Sequence, residues 1–219
     1  AGFVWEKFAE GCSLRMPCPQ KFSDPLHGLL GALEEEWGCM VGSNVYLTPP
    51  GNQGFAPHYD DIEAFLLQVE GVKKWRVYQP LTDADTLPRF SSPNFSQGDL
   101  AETPHLETEL SAGDLLYLPR GWIHQARTHG QDPSLHITLS AMQMNSWADF
   151  LETLVPMALT SAIQQRVELR RGMPRDYLEY MGVAHEDEED VRRERLASLV
   201  KCHLNTVISQ AFASPGEGR

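Results

Sequence analysis

Two stretches of this chain decide its fold: residues 54–78 read GFAPHYDDIEAFLLQVEGVKKWRVY, and residues 113–124 read GDLLYLPRGWIH. Both contain short apolar runs bounded by turn formers, which is typical of β-strands joined by tight turns. Residues two apart on an extended segment share a face, so His58 and Asp60 lie side by side. An imidazole next to a carboxylate can bind a metal ion, although such a triplet is weak evidence when it stands alone.

The second stretch supplies another imidazole at a defined place. Gly113 permits a turn into the strand LLYL, Pro119 and Gly121 form a tight turn, and His124 opens the next strand. The pattern G-x5-P-x-G-x2-H resembles the second sequence motif of the cupin superfamily, and the region around His58 resembles the first. Two motifs in the expected order are much more specific than either one.

The remainder of the first two thirds is also rich in short strands. One helix precedes most of them, with Asp24 as its cap and Pro25 in its first turn. The polar segment Asp83–Glu107 predicts a long loop, a feature that is often functional. Many short strands with regular turns predict a barrel or a sandwich. The predicted strands are Asn44–Thr48, Ala64–Val69, Trp75–Tyr78, Leu115–Leu118 and Leu135–Leu139. A further strand, which opens at His124, lies between the last two.

The pattern changes to helical near residue 145. Ser146 and Asp149 form an N-terminal capping pattern, and apolar residues then recur at helical spacing to Val167, with a kink expected at Pro156. We therefore divide the chain into a barrel at residues 1–145 and a helical segment at 146–219, which either covers its own barrel or mediates dimerisation. Two further helices are predicted, at Pro174–Met181 and at 196–211, separated by an acidic linker, Glu186–Asp190.

Composition excludes several classes of protein. The chain is 42% hydrophobic and 22% charged, with no apolar run of membrane-spanning length and no signal-peptide pattern. Its net charge of −12 disfavours nucleic-acid binding and favours basic partners, or serves only solubility. Four scattered cysteines indicate reduced thiols in a cytosolic or nuclear protein. Since the chain lacks an initiator Met, we expect it to be a fragment of a longer protein.

Two histidines and one carboxylate form a facial triad, which leaves adjacent metal positions open and suits non-haem Fe(II) oxygenases. A catalytic zinc site could use the same three ligands. Lys73 bears on the choice between an Fe(II) oxygenase and a zinc site because it shares a strand face with Trp75 and Val77. If that face lines the barrel interior, a buried Lys73 needs an anionic partner, such as the distal carboxylate of 2-oxoglutarate. The residues alone leave the alternative of an exposed basic pair, Lys73 and Lys74, on the barrel rim.

Several stretches together resemble the JmjC-domain ribosomal oxygenases, above all the nucleolar branch of that family. They are GSNVYLTPPGNQGFAPHYDDIEAFLLQVEGVKKWRVYQP, SSPNFSQGDL, GDLLYLPRGWIHQA, SLHITLS and RRGMPRDYLEYMG. The match runs from about the first residue to about Met181. The resemblance implies a double-stranded β-helix (jelly-roll, cupin/JmjC) barrel followed by a helical dimerisation segment, with the family's winged-helix domain and long N-terminal extension outside this chain.

The resemblance also assigns residues. The metal ligands of the family fall on His58, Asp60 and His124, and its 2-oxoglutarate lysine falls on Lys73. Residues near the substrate histidine fall on Arg15, Tyr46, Asn94 and Ser140, while Asn44 and His136 are expected to line the co-substrate pocket or to be ordinary buried polar groups. Around Asp83–Arg89 the chain departs from the family pattern, which affects substrate detail.

By resemblance, the expected activity uses Fe(II), 2-oxoglutarate and dioxygen to hydroxylate a histidine side chain of a ribosomal protein, with histone lysine demethylation as a second activity. Basic protein substrates, a homodimer and a nuclear, nucleolar location are implied likewise. A methyl-lysine site usually needs an aromatic cage, and the candidate positions show no aromatic cluster, so histidyl hydroxylation ranks first. The alternatives are a catalytically silent JmjC/cupin module that binds protein, and a cupin-class metalloenzyme that acts on a small molecule without 2-oxoglutarate.

Overall fold

The computed structural model describes residues 2–187 and 189–212, and the chain forms two compact units, residues 1–145 and 146–219. The first unit contains eight strands and two helices within its described residues. The strands are β1 (Leu14–Pro17), β2 (Val41–Thr48), β3 (Glu63–Glu70), β4 (Val72–Tyr78), β5 (Leu106–Leu110), β6 (Leu115–Leu118), β7 (Ile123–His129) and β8 (Ser134–Ala141), and the helices are α1 (Gly2–Ala9) and α2 (Asp24–Trp37).

Two antiparallel sheets form the first unit. One has the order β1-β2-β8-β3-β6 and the other the order β5-β4-β7, so strands that are distant in sequence are neighbours in space. In particular, β8 pairs with both β2 and β3, and β7 pairs with β4. These two sheets are the double-stranded β-helix that the resemblance implies.

The alternation of side chains along each strand determines what faces the interior. Ala64 and Leu66 on β3 and Trp75 and Val77 on β4 are buried together. Helix α2 covers the five-stranded sheet, where Leu30 joins a second buried cluster with residues of β2 and β8. The polar residues that share the interior faces of these strands are therefore enclosed by the barrel.

The second unit contains two long helices among its described residues, α3 (Trp147–Gln165) and α4 (Val191–Ala211). A complete capping box at Ser146 and Asp149 begins α3, as predicted. The helix continues through Pro156, and the two helices pack through the buried residues Ala158, Ala162 and Val207. No helix in the described part of the chain combines the length and apolarity that a membrane span requires.

Several element predictions were wrong. Strands β1 and β5 and helix α1 were not predicted, because the two strands lie at sheet edges with mostly exposed side chains, and α1 buries no residue. Since β5 begins at Leu106, the long loop ends before the predicted Glu107. Ser23 is the N-cap of α2, and Asp24 is its first residue.

The helical part also differs from the prediction at two places. Helix α3 ends at Gln165, so Val167 begins a separate 3-10 turn, and Pro174–Met181 holds only a 3-10 turn at Tyr177–Glu179. Of the predicted acidic linker, Glu188 lies outside the described residues. The four cysteines are free thiols, in agreement with the prediction from their spacing.

Candidate metal centre

The backbone brings the two predicted ligand segments together. His58 and His124 form an antiparallel bridge, in which the His124 amide donates to the His58 carbonyl over 2.8 Å and the His58 amide donates to the His124 carbonyl over 3.2 Å. The amide of Gly121 donates to the Asp60 carbonyl over 3.1 Å. The tight turn at residues 119–122 thus fixes the strand that carries His124 beside the segment that carries His58 and Asp60.

The three side chains converge as the sequence predicts. One Asp60 carboxylate oxygen lies 3.7 Å from His124 Nε2 and 4.0 Å from His58 Nε2, and all three candidate ligand atoms lie within 4.8 Å of one another. Two imidazole nitrogens and one carboxylate oxygen on one side of a point leave the opposite side open for further ligands. Among the residues that the structure describes, this is the one cluster of three or more side chains suited to hold a metal ion.

Hydrogen bonds set the tautomer of both histidines. His58 Nδ1 lies 2.8 Å from the Ala56 carbonyl, and His124 Nδ1 lies 3.1 Å from the Trp122 carbonyl. Because a carbonyl only accepts, each Nδ1 carries the proton, and each Nε2 presents its lone pair toward Asp60. Burial, together with the neighbouring His58, lowers the pKa of His124. His124 is therefore held in the neutral form that ligates metals.

An interior cavity of about 560 Å³ opens beside this cluster. It is enclosed by residues of both sheets, and its volume suits a small organic ligand. Besides the three candidate ligands, its walls include the predicted residues Arg15, Asn44, Tyr46, Lys73, His136 and Ser140. The structure therefore places nine of the ten predicted site residues around one space.

Lys73 is buried on the interior face of β4, whereas Lys74 is partly exposed and pairs with Glu107 on the outer face. Only 3% of Lys73 is exposed, and its Nζ donates to Thr48 Oγ1 over 3.0 Å. Among the described residues, no carboxylate lies within 4 Å of this Nζ. Burial lowers the pKa of Lys73 to about 8. Within the described part of the chain, this cation in the cavity thus lacks an anionic partner.

His136 and Tyr46 lie next to Lys73. His136 Nδ1 is 3.4 Å from Lys73 Nζ, and burial, with the nearby Lys73 charge, lowers the pKa of His136 to about 2. The imidazole is therefore neutral and accepts a hydrogen bond from the ammonium. Its ring stacks on that of Tyr46 at a centroid distance of 5.0 Å. Burial also raises the pKa of Tyr46, so its hydroxyl remains a donor at neutral pH.

The predicted substrate residues occupy different positions. Arg15 donates to the Asn44 side-chain oxygen over 3.1 and 3.2 Å, and its guanidinium lies 5.8 Å from the centre of the Tyr46 ring. Ser140, on β8, also lines the cavity. Asn94 does not: it is exposed on the loop between β4 and β5, outside the cavity wall, because Ser92 and Phe95 take the contacts with the barrel there.

The sequence reasoning missed several lining residues, among them Thr48 and Phe55. Thr48 contacts Lys73, and its signal was available, since Thr48 continues the face of β2 that carries Asn44 and Tyr46. Phe55 lines the cavity mouth, with its ring 5.8 Å from Tyr46 and 5.9 Å from His58. No periodicity marks Phe55 because it lies on an irregular loop. The site is therefore more aromatic on one side than the sequence indicated.

Comparisons with known proteins agree with this geometry. A family model described as the JmjC domain matches residues 16–150. The solved structure of ycfD from E. coli has a TM-score of 0.54 and 19% identity, and the match covers 88% of this chain and 48% of that one. This likeness establishes the same fold.

Curated relatives share much more sequence. "Ribosomal oxygenase 1" of Rattus norvegicus is 55% identical over 198 residues, which is 90% of this chain and 33% of that protein. "Bifunctional lysine-specific demethylase and histidyl-hydroxylase NO66" of Culex quinquefasciatus is 49% identical over 207 residues, which is 94% of this chain and 32% of that protein. The chain thus spans about a third of the length of these relatives.

Proposed function

The chain belongs to the JmjC-domain family, and on that basis we propose that it is an Fe(II)- and 2-oxoglutarate-dependent oxygenase that hydroxylates a histidine side chain of a ribosomal protein. The observation that carries the proposal is the meeting of two features in one cavity. The cluster of His58, Asp60 and His124 offers three ligand atoms, and Lys73 offers a buried cation with no anionic partner among the described residues.

The donor set fits iron better than zinc in this setting. A facial arrangement of two imidazoles and one carboxylate leaves three positions for other ligands, as non-haem Fe(II) oxygenases require. His58 and His124 would bind through Nε2, with the tautomers already set by the Ala56 and Trp122 carbonyls. Asp60 would supply one carboxylate oxygen and a negative charge.

Lys73 supports 2-oxoglutarate as the co-substrate. An ammonium buried without a counter-charge is costly, and a ligand carboxylate placed against it relieves that cost. Thr48 Oγ1 holds the ammonium in place, and the neutral His136 adds an acceptor without adding charge. A keto acid would therefore bind with its distal carboxylate at Lys73 and its other end toward the metal ligands. A small-molecule cupin enzyme that ignores 2-oxoglutarate leaves this cation unexplained.

A bound iron would supply the oxidation of a substrate C–H bond by dioxygen, coupled to the conversion of 2-oxoglutarate to succinate and carbon dioxide. The residues of the chain bind and orient the reactants. The interior faces of the two sheets exclude bulk water from Lys73, which strengthens its electrostatic contacts. Arg15, Asn44, Tyr46 and Ser140 provide hydrogen-bonding groups around the remaining space, where the substrate side chain would lie.

A histidine substrate is supported by the polar wall of the cavity and by the names of the relatives. Amide, hydroxyl and phenol groups suit the two nitrogens of an imidazole. Tyr46 and Phe55 meet at 86°, which gives two aromatic surfaces that a flat side chain can contact. Lysine demethylation ranks second, because a methyl-ammonium group is better held by a more complete aromatic cage.

The test is mass spectrometry of histidine-containing ribosomal-protein peptides incubated with the chain, Fe(II), 2-oxoglutarate and air. We expect a gain of one oxygen on the peptide and parallel formation of succinate, both lost in His58→Ala. Formaldehyde from methylated histone peptides, without a hydroxylated ribosomal peptide, would reverse the ranking. Absence of succinate under all conditions would favour a silent protein-binding module.

We further propose that the helical unit forms a homodimer. Helix α4 carries Val200, Leu204 and Ile208 at intervals of four residues, and each is between 44% and 55% exposed. Such a row of apolar side chains is typical of a helix face that pairs with another helix. The expected basic partners and the nucleolar location remain predictions from the resemblance.

A further inference from the structure

The long loop between β4 and β5 runs along the segment that carries two of the candidate metal ligands. The Phe95 amide donates to the Pro57 carbonyl over 2.8 Å, and the Ser92 amide donates to the Tyr59 carbonyl over 3.0 Å. Along the chain, the ligands His58 and Asp60 alternate with the acceptor residues Pro57 and Tyr59. Their backbone is therefore held from the side opposite the His58–His124 bridge.

The Ser92 hydroxyl adds a side-chain contact at the central residue of the pair. The Tyr59 amide donates to Ser92 Oγ over 2.9 Å, and Ser92 Oγ lies 3.4 Å from the Tyr59 carbonyl oxygen, to which it can donate in turn. Both polar groups of the Tyr59 backbone are thus bound by one residue. Because Tyr59 lies between His58 and Asp60, its backbone torsions set how the two ligand side chains point relative to each other.

Ser91 extends the same contact by one residue. Its hydroxyl donates to one Asp61 carboxylate oxygen over 2.7 Å and accepts from the Asp61 amide over 3.3 Å. The other Asp61 oxygen accepts from Gln143 Nε2 over 3.0 Å, just beyond β8. Ser91 and Gln143 also line the cavity. The loop is therefore connected to the mouth of the site as well as to the ligand segment.

A second part of the same loop contacts the other ligand segment. Gly121 has a φ of +88°, and a Cβ built on it would lie 2.5 Å from Pro88 Cδ and 2.9 Å from the Asp85 carbonyl oxygen. Residues 85–88 thus pack directly against the turn that leads to His124. One loop contacts both segments, and it lies outside the set of metal-ligating residues.

We propose that Ser91 and Ser92 are positioning residues for the metal ligands, acting through hydrogen bonds to Asp61 and Tyr59. This inference rests on the proposed function, because it presumes that His58 and Asp60 bind a metal ion. Outer partners that orient metal ligands typically change metal affinity 10–100-fold when removed. Loss of the Ser92 hydroxyl leaves the Tyr59 amide without its acceptor, while the Ser92 amide still donates to the Tyr59 carbonyl. The backbone between the two ligands is then held on one side only, which lets their side chains spread apart.

The experiment measures Co(II) binding to the 219-residue chain by calorimetry, with the ligand-field absorption of the bound Co(II) as a second readout. We expect Ser92→Ala to weaken Co(II) binding about tenfold and to change the absorption spectrum, whereas Ser92→Thr, which keeps a hydroxyl, restores both. Ser96→Ala is the matched control. Ser96 lies on the same loop and hydrogen-bonds to Asp99 in a local capping box.

Two outcomes separate failure of this inference from failure of the proposed function. If the unmodified chain binds Co(II) and His58→Ala does not, but Ser92→Ala matches the unmodified chain in affinity and spectrum, the positioning role is overturned alone. If the unmodified chain and His58→Ala bind Co(II) equally weakly, the proposed metal site itself is overturned. Thermal unfolding without metal checks that Ser92→Ala and Ser96→Ala are folded to the same extent; a loss of affinity explained by unfolding also counts against the positioning role.

Discussion

Lys73 shows at the scale of one residue how the barrel makes a ligand site. A strand turns every second side chain inward, and Lys73 occupies an inward position between otherwise apolar neighbours of β4. Its neutral partners, Thr48 and His136, bind the ammonium but do not cancel its charge. The residue therefore destabilises the empty barrel and stabilises the barrel that holds a carboxylate.

Replacement of Lys73 tests that role. We expect Lys73→Ala to raise the 2-oxoglutarate concentration needed for half-maximal succinate formation by at least about 100-fold, the size expected for loss of a buried charged partner. Lys74→Ala is the control, since Lys74 lies on the outer face and pairs with Glu107. Equal effects of the two substitutions would remove Lys73 from the co-substrate site.

The pKa of Lys73 predicts a pH dependence with a definite sign. Burial lowers this pKa to about 8, so the ammonium is largely charged at pH 7 and largely neutral at pH 9. Binding of 2-oxoglutarate needs the charged form, and we expect its Kd to rise about tenfold from pH 7 to pH 9. The measurement is calorimetric titration of the Mn(II)-loaded chain. In Lys73→Ala this rise should disappear, and its persistence there would assign the titration to another group.

At the scale of elements, the tight turns decide whether ligand-bearing strands meet. Gly71 joins β3 to β4 with a φ of +65°, and a Cβ built there would lie 2.2 Å from the Pro133 carbonyl oxygen. Gly113 also has a positive φ, of +98°, but a Cβ built there meets no atom within 4 Å. Both positions carry a positive φ, but only Gly71 is crowded, so comparing them separates the cost of backbone strain from the cost of crowding.

Alanine at these two positions gives a stability prediction. Gly113→Ala should lower the free energy of unfolding by about 1–2 kcal/mol through its positive φ. Gly71→Ala should cost a further 1–3 kcal/mol or so, because the Pro133 backbone must shift. Urea unfolding of the two variants measures the difference. Equal losses would mean that the β3–β4 turn tolerates a side chain.

The elements also show what the sequence can and cannot predict. The interior strands were predictable, because alternation and turn residues set them locally. The meeting of His58 and Asp60 with His124 was predictable from two motifs that resemble those of a known family. The inward position of Lys73 followed from strand parity only once its neighbours were known to be buried. Strand β5 escaped prediction because its residues LETEL are mostly exposed and lie at a sheet edge. Asn94, which the resemblance suggests near the substrate, is exposed outside the cavity, and its role stays a prediction.

At the scale of the whole molecule, we propose that the two compact units carry different tasks. Residues 1–145 contain the cavity and every candidate ligand, and residues 146–219 contribute the exposed apolar row on α4. The net charge of −12 attracts basic protein segments and is consistent with a ribosomal-protein substrate. Activity at the cavity and association through the helices should therefore be separable by mutation.

The dimer proposal is tested with Leu204→Glu on α4. We expect light scattering after size exclusion to give the mass of two chains for the unmodified protein and of one chain for Leu204→Glu, since a charge in an apolar interface is strongly unfavourable. Asn205→Glu, one residue further along the exposed surface, should remain dimeric. A monomer for the unmodified chain at micromolar concentration would contradict the proposal.

The most direct test of the central claim is the anomalous diffraction signal from crystals of the chain loaded with Mn(II) or Co(II). We predict one strong peak about 2.0–2.2 Å from His58 Nε2, His124 Nε2 and an Asp60 carboxylate oxygen. Density for a keto acid should extend from that peak toward Lys73 when 2-oxoglutarate is added. A peak elsewhere, or none between these three side chains, would contradict the account of this protein as an oxygenase.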